Sequence, residues 1–101
     1  MKFEWDENKR IDNLAKHGLD FQDAGKIFDD KKRIEFSDDR YDYGEERVCV
    51  IGKIETRTFR KIMIVLVVFV DRNGIARIIS ARPANKRERR LYYDNSSLYF
   101  G

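Results

Sequence analysis

The hydrophobic positions along this chain follow two periods, and the runs of each mark where strands and helices should lie. Residues 62–70, Ile-Met-Ile-Val-Leu-Val-Val-Phe-Val, are unbroken in apolar character, the pattern of a strand buried on both faces at the centre of a sheet. Asp71-Arg72-Asn73-Gly74 follows, and Asn-Gly accepts the positive φ of a type I′ turn, so Ile75 to Ala81 is expected to return antiparallel. Val48 to Ile54 reads as a further strand ahead of the central one. Residues 29–46 are dense in charge, and Ile34-Glu35-Phe36 is the only strand signal inside them, which predicts an edge strand beside a mobile loop. Phe3-Glu4-Trp5 predicts a short opening strand.

The helical period appears towards the two ends. Asp6 suits the N-cap of a helix from about Glu7 to His17, with Ile11, Leu14 and Ala15 on its apolar face and Gly18 as its C′ stop. Asp20 caps a shorter helix whose stripe is Phe21, Ala24, Ile27 and Phe28, ending near Asp29. Pro83 closes the last strand. Asn85 with Glu88 three residues on has the spacing of a capping box, which places a final helix from about Lys86 to Asp94 and a fraying tail from Asn95. No repeat or linker interrupts the pattern. The chain reads as one α+β domain over residues 1–101, with its core at about 2–94 and a tail at 95–101. Two N-terminal helices and a C-terminal helix are expected to pack on a small, mainly antiparallel sheet.

Composition adds a charge asymmetry to this outline. A length of 101 residues and an apolar fraction of 42% suffice for one small core with a helical layer on a single sheet. The net charge of +3 conceals its distribution: residues 1–46 hold 9 basic and 14 acidic side chains, residues 47–101 hold 12 and 4. Arg77 to Arg90 alone carries six basic side chains against one acid. Lys and Arg held on a rigid sheet neutralise phosphates and release condensed counterions, so nucleic acid is the first partner implied. The lone Cys49 excludes an internal disulfide and fits a reducing cytoplasm. Met1 is followed by Lys2 and further charge rather than a signal-peptide core. The longest apolar run is nine residues, half of the roughly 18 that a membrane span needs, so a soluble cytoplasmic protein with no membrane partner is expected.

The chain holds few candidates for chemistry. His17 is the only histidine. At a helix C-terminus it can stabilise the negative end of the dipole, and it is also the side chain best suited to proton transfer near neutral pH. One His and one strand Cys do not make a zinc site. Asp38, Asp39 and Asp42 suggest a magnesium site, but a charged loop of this kind is usually just solvated, and no metal or cofactor is expected. Nucleophilic triads and phosphate-cradling glycine loops are absent from the sequence. Gly44-Glu45-Glu46-Arg47 reads either as a turn glycine with cross-strand ion pairs or as charged groups that meet the basic cluster on one sheet face. Strict alternation sets Arg77 with Ile79 and Ala81, and Ser80 and Arg82 opposite. Arg82 precedes a proline at the strand end, which leaves open whether the two arginines share a face. Glu88 suits a general base as well as a cap. Tyr92, Tyr93, Tyr99 and Phe100 suit base stacking, while Leu91 and Tyr92 equally suit a core-facing pair.

Phe3-Glu4-Trp5-Asp6, Lys9, Asn13, Lys16-His17-Gly18, Phe21, Phe28-Asp29, Gly44-Glu45-Glu46-Arg47, Gly52, Arg77-Ile78-Ile79-Ser80-Ala81-Arg82, Ala84, Glu88-Arg89 and Tyr92 together resemble the BrnT family of bacterial toxins. Each motif is modest alone, and their order and spacing carry the resemblance from residue 3 to about residue 93. It implies the toxin half of a type II toxin–antitoxin system, with a RelE-like fold and a metal-independent endoribonuclease activity that blocks translation. It also implies a BrnA-like ribbon-helix-helix antitoxin as hetero-oligomeric partner, through which alone the complex reaches operator DNA.

Metal-free RNA cleavage needs the 2′-OH deprotonated, the pentavalent phosphate stabilised and the 5′-oxygen protonated as it leaves. Guanidinium groups suit the phosphate. Arg77 and Arg82, with Arg47 as a third, are the expected phosphate contacts, His17 the proton-transfer group, and Lys16 or Lys9 a positioning cation. Lys86, Arg87, Arg89, Arg90 and Tyr92 are the expected RNA-binding residues. The rival reading is a non-catalytic basic module that grips RNA or the ribosome.

Overall fold

A computed structural model of the chain describes residues 1–38, 44–57 and 60–100, the last five of these by backbone alone. Five strands, β1 (Lys2–Glu4), β2 (Ile34–Ser37), β3 (Val48–Glu55), β4 (Ile62–Arg72) and β5 (Ile75–Pro83), form one sheet in the order β1-β5-β4-β3-β2. The pairings of β2 with β3, β3 with β4 and β4 with β5 are antiparallel, and β1 lies parallel to β5. The sheet is therefore mixed. β4 occupies its centre, and every residue from Ile64 to Val70 is buried. At the β4–β5 turn Asn73 and Gly74 have φ of 57° and 83°, the type I′ geometry that their sequence favours. The charged loop expected after β2 falls largely on residues 39–43, outside the described residues.

Helix α1 (Glu7–His17) begins at Asp6, whose carboxylate accepts the Asn8 and Lys9 N–H groups, and ends at Gly18 with φ of 71°. Helix α2 is a single turn, Phe21–Ala24, capped by Asp20. It tightens into a 3₁₀ segment, Gly25–Asp29, rather than continuing as an α-helix. Gly25 opens that segment where the backbone passes against the Phe3 ring, and a Cβ there would lie 2.8 Å from Phe3 Cε2. Helix α3 runs from Lys86 to Phe100, beyond the expected stop at Asp94. Asn95 to Phe100 contains neither Gly nor Pro, so nothing local ends the helix before Gly101.

The sheet separates two clusters. On one face Leu19, Phe21, Ala24 and Ile27 pack on Val50, Ile54, Val65, Val67, Phe69, Ala76, Ile78 and Ala81. On the other, Tyr92 of α3 and Ala84 join Cys49, Ile51, Ile64, Leu66 and Val68. Full burial of each large side chain contributes about 1.5–3 kcal/mol, which makes the two clusters the main cohesion of the fold.

Helix α1 departs from its expected orientation. Ile11 and Leu14 are 52% and 40% exposed and Ala15 is exposed too, whereas Arg10, Asn13 and His17 turn inward. β1 pairs with β5 only as far as Arg77, so the outer edge of β5 beyond that point needs other hydrogen-bond partners. Asn13 provides them. Its Nδ2 donates to the Ala81 carbonyl at 2.7 Å and its Oδ1 accepts the Ala81 N–H at 3.2 Å, so one side-chain amide stands in for a strand. The same Nδ2 donates to Leu19 O. Satisfying these buried backbone groups outweighs burial of the apolar stripe on the opposite flank.

Candidate nucleic-acid interface

A β-bulge in β5 decides where the arginines point. Phe69 faces Ile78 and Val68 faces Ser80, so Ile79 is an extra residue without an opposite number on β4. The insertion reverses the alternation at that point. Ala76, Ile78 and Ala81 consequently all pack with the α2-side cluster, and Arg77, Ser80 and Arg82 all fall on the α3 side. Strict alternation would have separated the two arginines, and the bulge reunites them. Arg77 stands opposite Val70 and Arg82 opposite Leu66, four residues apart on β4, roughly 13 Å along the strand. Arg47 stands two residues before Cys49 and so belongs to the same face.

Each arginine has its own surroundings. Arg77 forms an ion pair with Glu4 on neighbouring β1 at 3.6 Å and is about a quarter exposed. Arg82 donates through both Nη atoms to the two carboxylate oxygens of Glu88, each at 2.8 Å. Glu88 also accepts the Asn85 N–H, and Asn85 Oδ1 accepts the Glu88 N–H, which completes the capping box of α3. One carboxylate thus starts the helix and fixes the Arg82 fork with charge-assisted bonds. Arg47 accepts the Asp38 N–H through its carbonyl at 2.8 Å. In the Gly44–Arg47 motif, Gly44 has φ of 76°, Glu45 pairs with Arg72 at 3.2 Å, and Glu46 accepts from Ser37 Oγ. That is the turn-and-cross-strand arrangement, each carboxylate having a partner other than Arg77 or Arg82.

Helix α3 divides its residues between surface and core. Lys86, Arg87, Arg89 and Arg90 are all exposed, and Arg89 in addition donates one Nη1 bond back to Ala84 O at 2.7 Å. Tyr92 is 2% exposed, and its hydroxyl donates to Asp30 Oδ2 at 2.6 Å, so its ring belongs to the core rather than to a stacking surface. Asp30 also accepts the Lys53 and Lys32 N–H groups. Burial is the largest single influence on this carboxyl and pushes its pKa up, but the Tyr92, Lys53 and Lys32 hydrogen bonds together outweigh it and hold the pKa below the ordinary value. Leu91 is 50% exposed, so of the Leu91–Tyr92 pair only Tyr92 faces the core. Tyr93 is exposed and borders a shallow groove of about 340 Å³ lined by Lys61, Ile62, Ile64, Pro83 and Arg89. The Tyr99 and Phe100 side chains lie outside the described residues.

Glu4 of β1 lies opposite Arg77 and Asn13 of α1 bonds to Ala81, so α1 runs alongside β5 towards its Arg82–Pro83 end. His17 lies one turn beyond Asn13 on the same side of the helix and is half-buried. Lys9 and Lys16 are exposed on the outer surface of α1. The structure therefore gathers Arg47, Arg77 and Arg82 on one face, leaves both lysines outside, and places half-buried His17 one turn from the residue that caps the outer edge of β5. Asp38 is buried, Asp39 and Asp42 lie outside the described residues, and among the described residues no three His, Cys, Asp or Glu side chains are grouped to hold a metal. No helix among the described residues is long and apolar enough to cross a membrane.

Sequence reasoning assigned no role to Asn13 in the fold or to Asp30 in docking α3. A polar residue in the middle of an otherwise amphipathic helix was the available sign of the first. The second had only the Asp-x-Lys spacing of a local turn, because its tyrosine partner is 62 residues away.

The chain matches, over residues 5–88, the family model described as the ribonuclease toxin BrnT of a type II toxin-antitoxin system. The match runs from the end of β1 to the capping box of α3. Among curated proteins, none matches the chain.

Proposed function

The chain belongs to the BrnT family of ribonuclease toxins of type II toxin–antitoxin systems, and on that premise we propose that it is a metal-independent endoribonuclease that blocks translation from the cytoplasm. We further propose a RelE-like architecture and a BrnA-like ribbon-helix-helix antitoxin, with operator DNA reached only through that partner. The observation that carries the catalytic reading is the β5 bulge, which aligns Arg77 and Arg82 on the face that also presents Arg47.

In this reading the scissile phosphate lies across that face. Arg77 and Arg47 neutralise the charge that grows on the non-bridging oxygens, and Arg82, held flat by Glu88, presents its remaining N–H groups to the same phosphate. His17, at the Arg82–Pro83 end, takes the 2′-OH proton or returns one to the departing 5′-oxygen. Lys16 or Lys9 steers the strand from the outer surface of α1. Lys86, Arg87 and Arg90 hold flanking phosphates along α3, and Tyr93 rather than Tyr92 offers a ring to a base.

The Arg82–Glu88 pair favours the alternative, a non-catalytic RNA- or ribosome-binding module, because it occupies the fork that would best grip a phosphate. One experiment separates the two. Purified protein free of antitoxin is incubated with RNA in EDTA and the new ends are mapped. Attack by the 2′-oxygen predicts cuts bearing 2′,3′-cyclic phosphate and 5′-hydroxyl termini, with growth arrest on expression in bacteria. RNA that is bound but left intact would replace the catalytic reading with the binding one, and cleavage that EDTA abolishes would refute metal independence.

A further inference from the structure

We propose that the groove between the start of β4 and helix α3 is a subsite for one unpaired RNA base beside the cut; the proposal rests on the ribonuclease reading above and extends it from the phosphate to the neighbouring base. The groove follows from unequal strand lengths. β5 ends at Pro83, opposite Val65, whereas β4 reaches back to Ile62, so the first residues of β4 overhang with no β5 residue beside them. The Ala84 N–H closes that side by donating to the Ile64 carbonyl at 2.9 Å, and the chain then turns into α3. The overhang leaves a cavity of about 340 Å³ lined by Lys61, Ile62, Ile64, Pro83, Arg89 and Tyr93. Ile62, 63% exposed, makes its floor apolar, and Tyr93 supplies an aromatic wall. The Tyr93 ring is set at 81° to that of buried Tyr92, with centroids 5.4 Å apart, so a core residue that is itself bonded to Asp30 steadies it.

Charge and position identify the occupant. Lys61 from the β4 wall and Arg89 from the α3 wall are both exposed, and among the described residues neither forms an ion pair and no carboxylate lines the groove. Arg89 Nη1 donates to Ala84 O, which holds the guanidinium at the rim. Glu55, opposite Ile62 in the register, lines neighbouring cavities with Lys26 instead. An aromatic ring beside an apolar floor, with a cation on each wall, is the chemistry that binds single-stranded nucleic acid: the base stacks and the phosphates next to it meet Lys or Arg. The groove also continues the arginine face. Pro83 adjoins Arg82, Arg82 stands opposite Leu66, and Ile62 and Ile64 share the side of β4 that carries Leu66. Ile64 is two residues from Leu66, roughly 7 Å along the strand, so a phosphate on Arg82 brings the adjoining nucleotide to the mouth of the groove. Because every base has a face to stack, the subsite selects for an unpaired base rather than for its identity.

The test uses the full chain and a short single-stranded RNA cut at a mapped position, with an abasic nucleotide placed at each position in turn. The proposal expects one position adjoining the cut where removal of the base lowers kcat/KM about 10- to 100-fold, the scale of one base–aromatic stack, and where exchange of one base for another matters far less. The double variant Ile62→Ser/Tyr93→Ala, whose two sites are exposed, should lose the same factor on intact RNA and lose nothing further on the abasic RNA, with folding checked by its melting curve. Tyr93→Phe keeps the ring and should keep the stack. Undiminished cleavage of every abasic RNA by the wild type overturns the proposal, and this arm needs no variant. So does an abasic effect that persists at full size in the folded double variant. Unchanged cleavage by a double variant that has lost the antitoxin, or that is monomeric where the wild type is dimeric, overturns it too and gives the groove to that partner. Wild-type protein that binds RNA without cutting it refutes the ribonuclease reading, and the abasic scan read as Kd then decides the subsite by the same criteria. Wild-type protein that neither binds nor cuts RNA overturns both.

Discussion

Tyr92→Phe removes one atom and tests how the basic helix is held on the sheet. The Tyr92 hydroxyl donates to Asp30 Oδ2 at 2.6 Å, and the ring itself is 2% exposed. A hydrogen bond to a charged acceptor contributes about 1.5–3 kcal/mol. Asp30 is only half-buried and keeps its bonds from Lys53 and Lys32 in the variant, so the lower value, about 1.5 kcal/mol, is the expected loss. For a domain of this size the entropy of unfolding near the midpoint is about 0.2 kcal/mol per degree, so the melting temperature should fall by roughly 7 °C. The bond also has a pH signature. Because the folded pKa of Asp30 is depressed, its stabilisation is fully present above the unfolded value of about 3.9 and is lost as the pH falls through the lower folded value. Urea titrations of wild type and variant from pH 7 to pH 3 should therefore show a gap that is constant near neutrality and closes below about pH 4. A gap under about 0.5 kcal/mol at pH 7, or one that persists unchanged at pH 3, would refute this account of how α3 is docked.

Asn13→Ala leaves the Ala81 N–H and the Ala81 and Leu19 carbonyls without their side-chain partner, so urea denaturation should show a loss of about 2–4 kcal/mol. Gly52→Ala would set a Cβ 2.6 Å from Ile27 Cγ1 and 3.3 Å from Arg33 Cβ, and an overpacking loss of about 1–3 kcal/mol is expected in the same assay. Replacing Lys86, Arg87 and Arg90 together with Ala should flatten the logarithmic salt dependence of single-stranded RNA binding by about 2 units, with an unchanged slope placing the grip elsewhere. His17→Ala should slow RNA cleavage by roughly 10²–10⁴ with affinity retained, and a folded variant that cuts at the normal rate removes His17 from the mechanism.

Local chemistry was enough to read the elements and much of their order. An unbroken apolar run marks β4 as central because only a strand covered on both faces can hold it. Asn73-Gly74 sets the turn into β5, Asp6 and Gly18 bound α1, and Asn85 with Glu88 starts α3, each through a contact between residues a few positions apart. The family match and the concentration of basic residues after Arg47 are likewise properties of the sequence. What it could not determine depends on partners distant along the chain. The parallel pairing of β1 with β5, the bulge that brings Arg77 and Arg82 to one face, and the bond from Tyr92 to Asp30 all join segments whose sequences carry no record of each other. The orientation of α1 shows the physical reason most plainly. Amphipathicity alone would turn Ile11 and Leu14 inward, but the unpaired edge of β5, which exists only once the sheet has formed, needs Asn13 more than the core needs those two side chains.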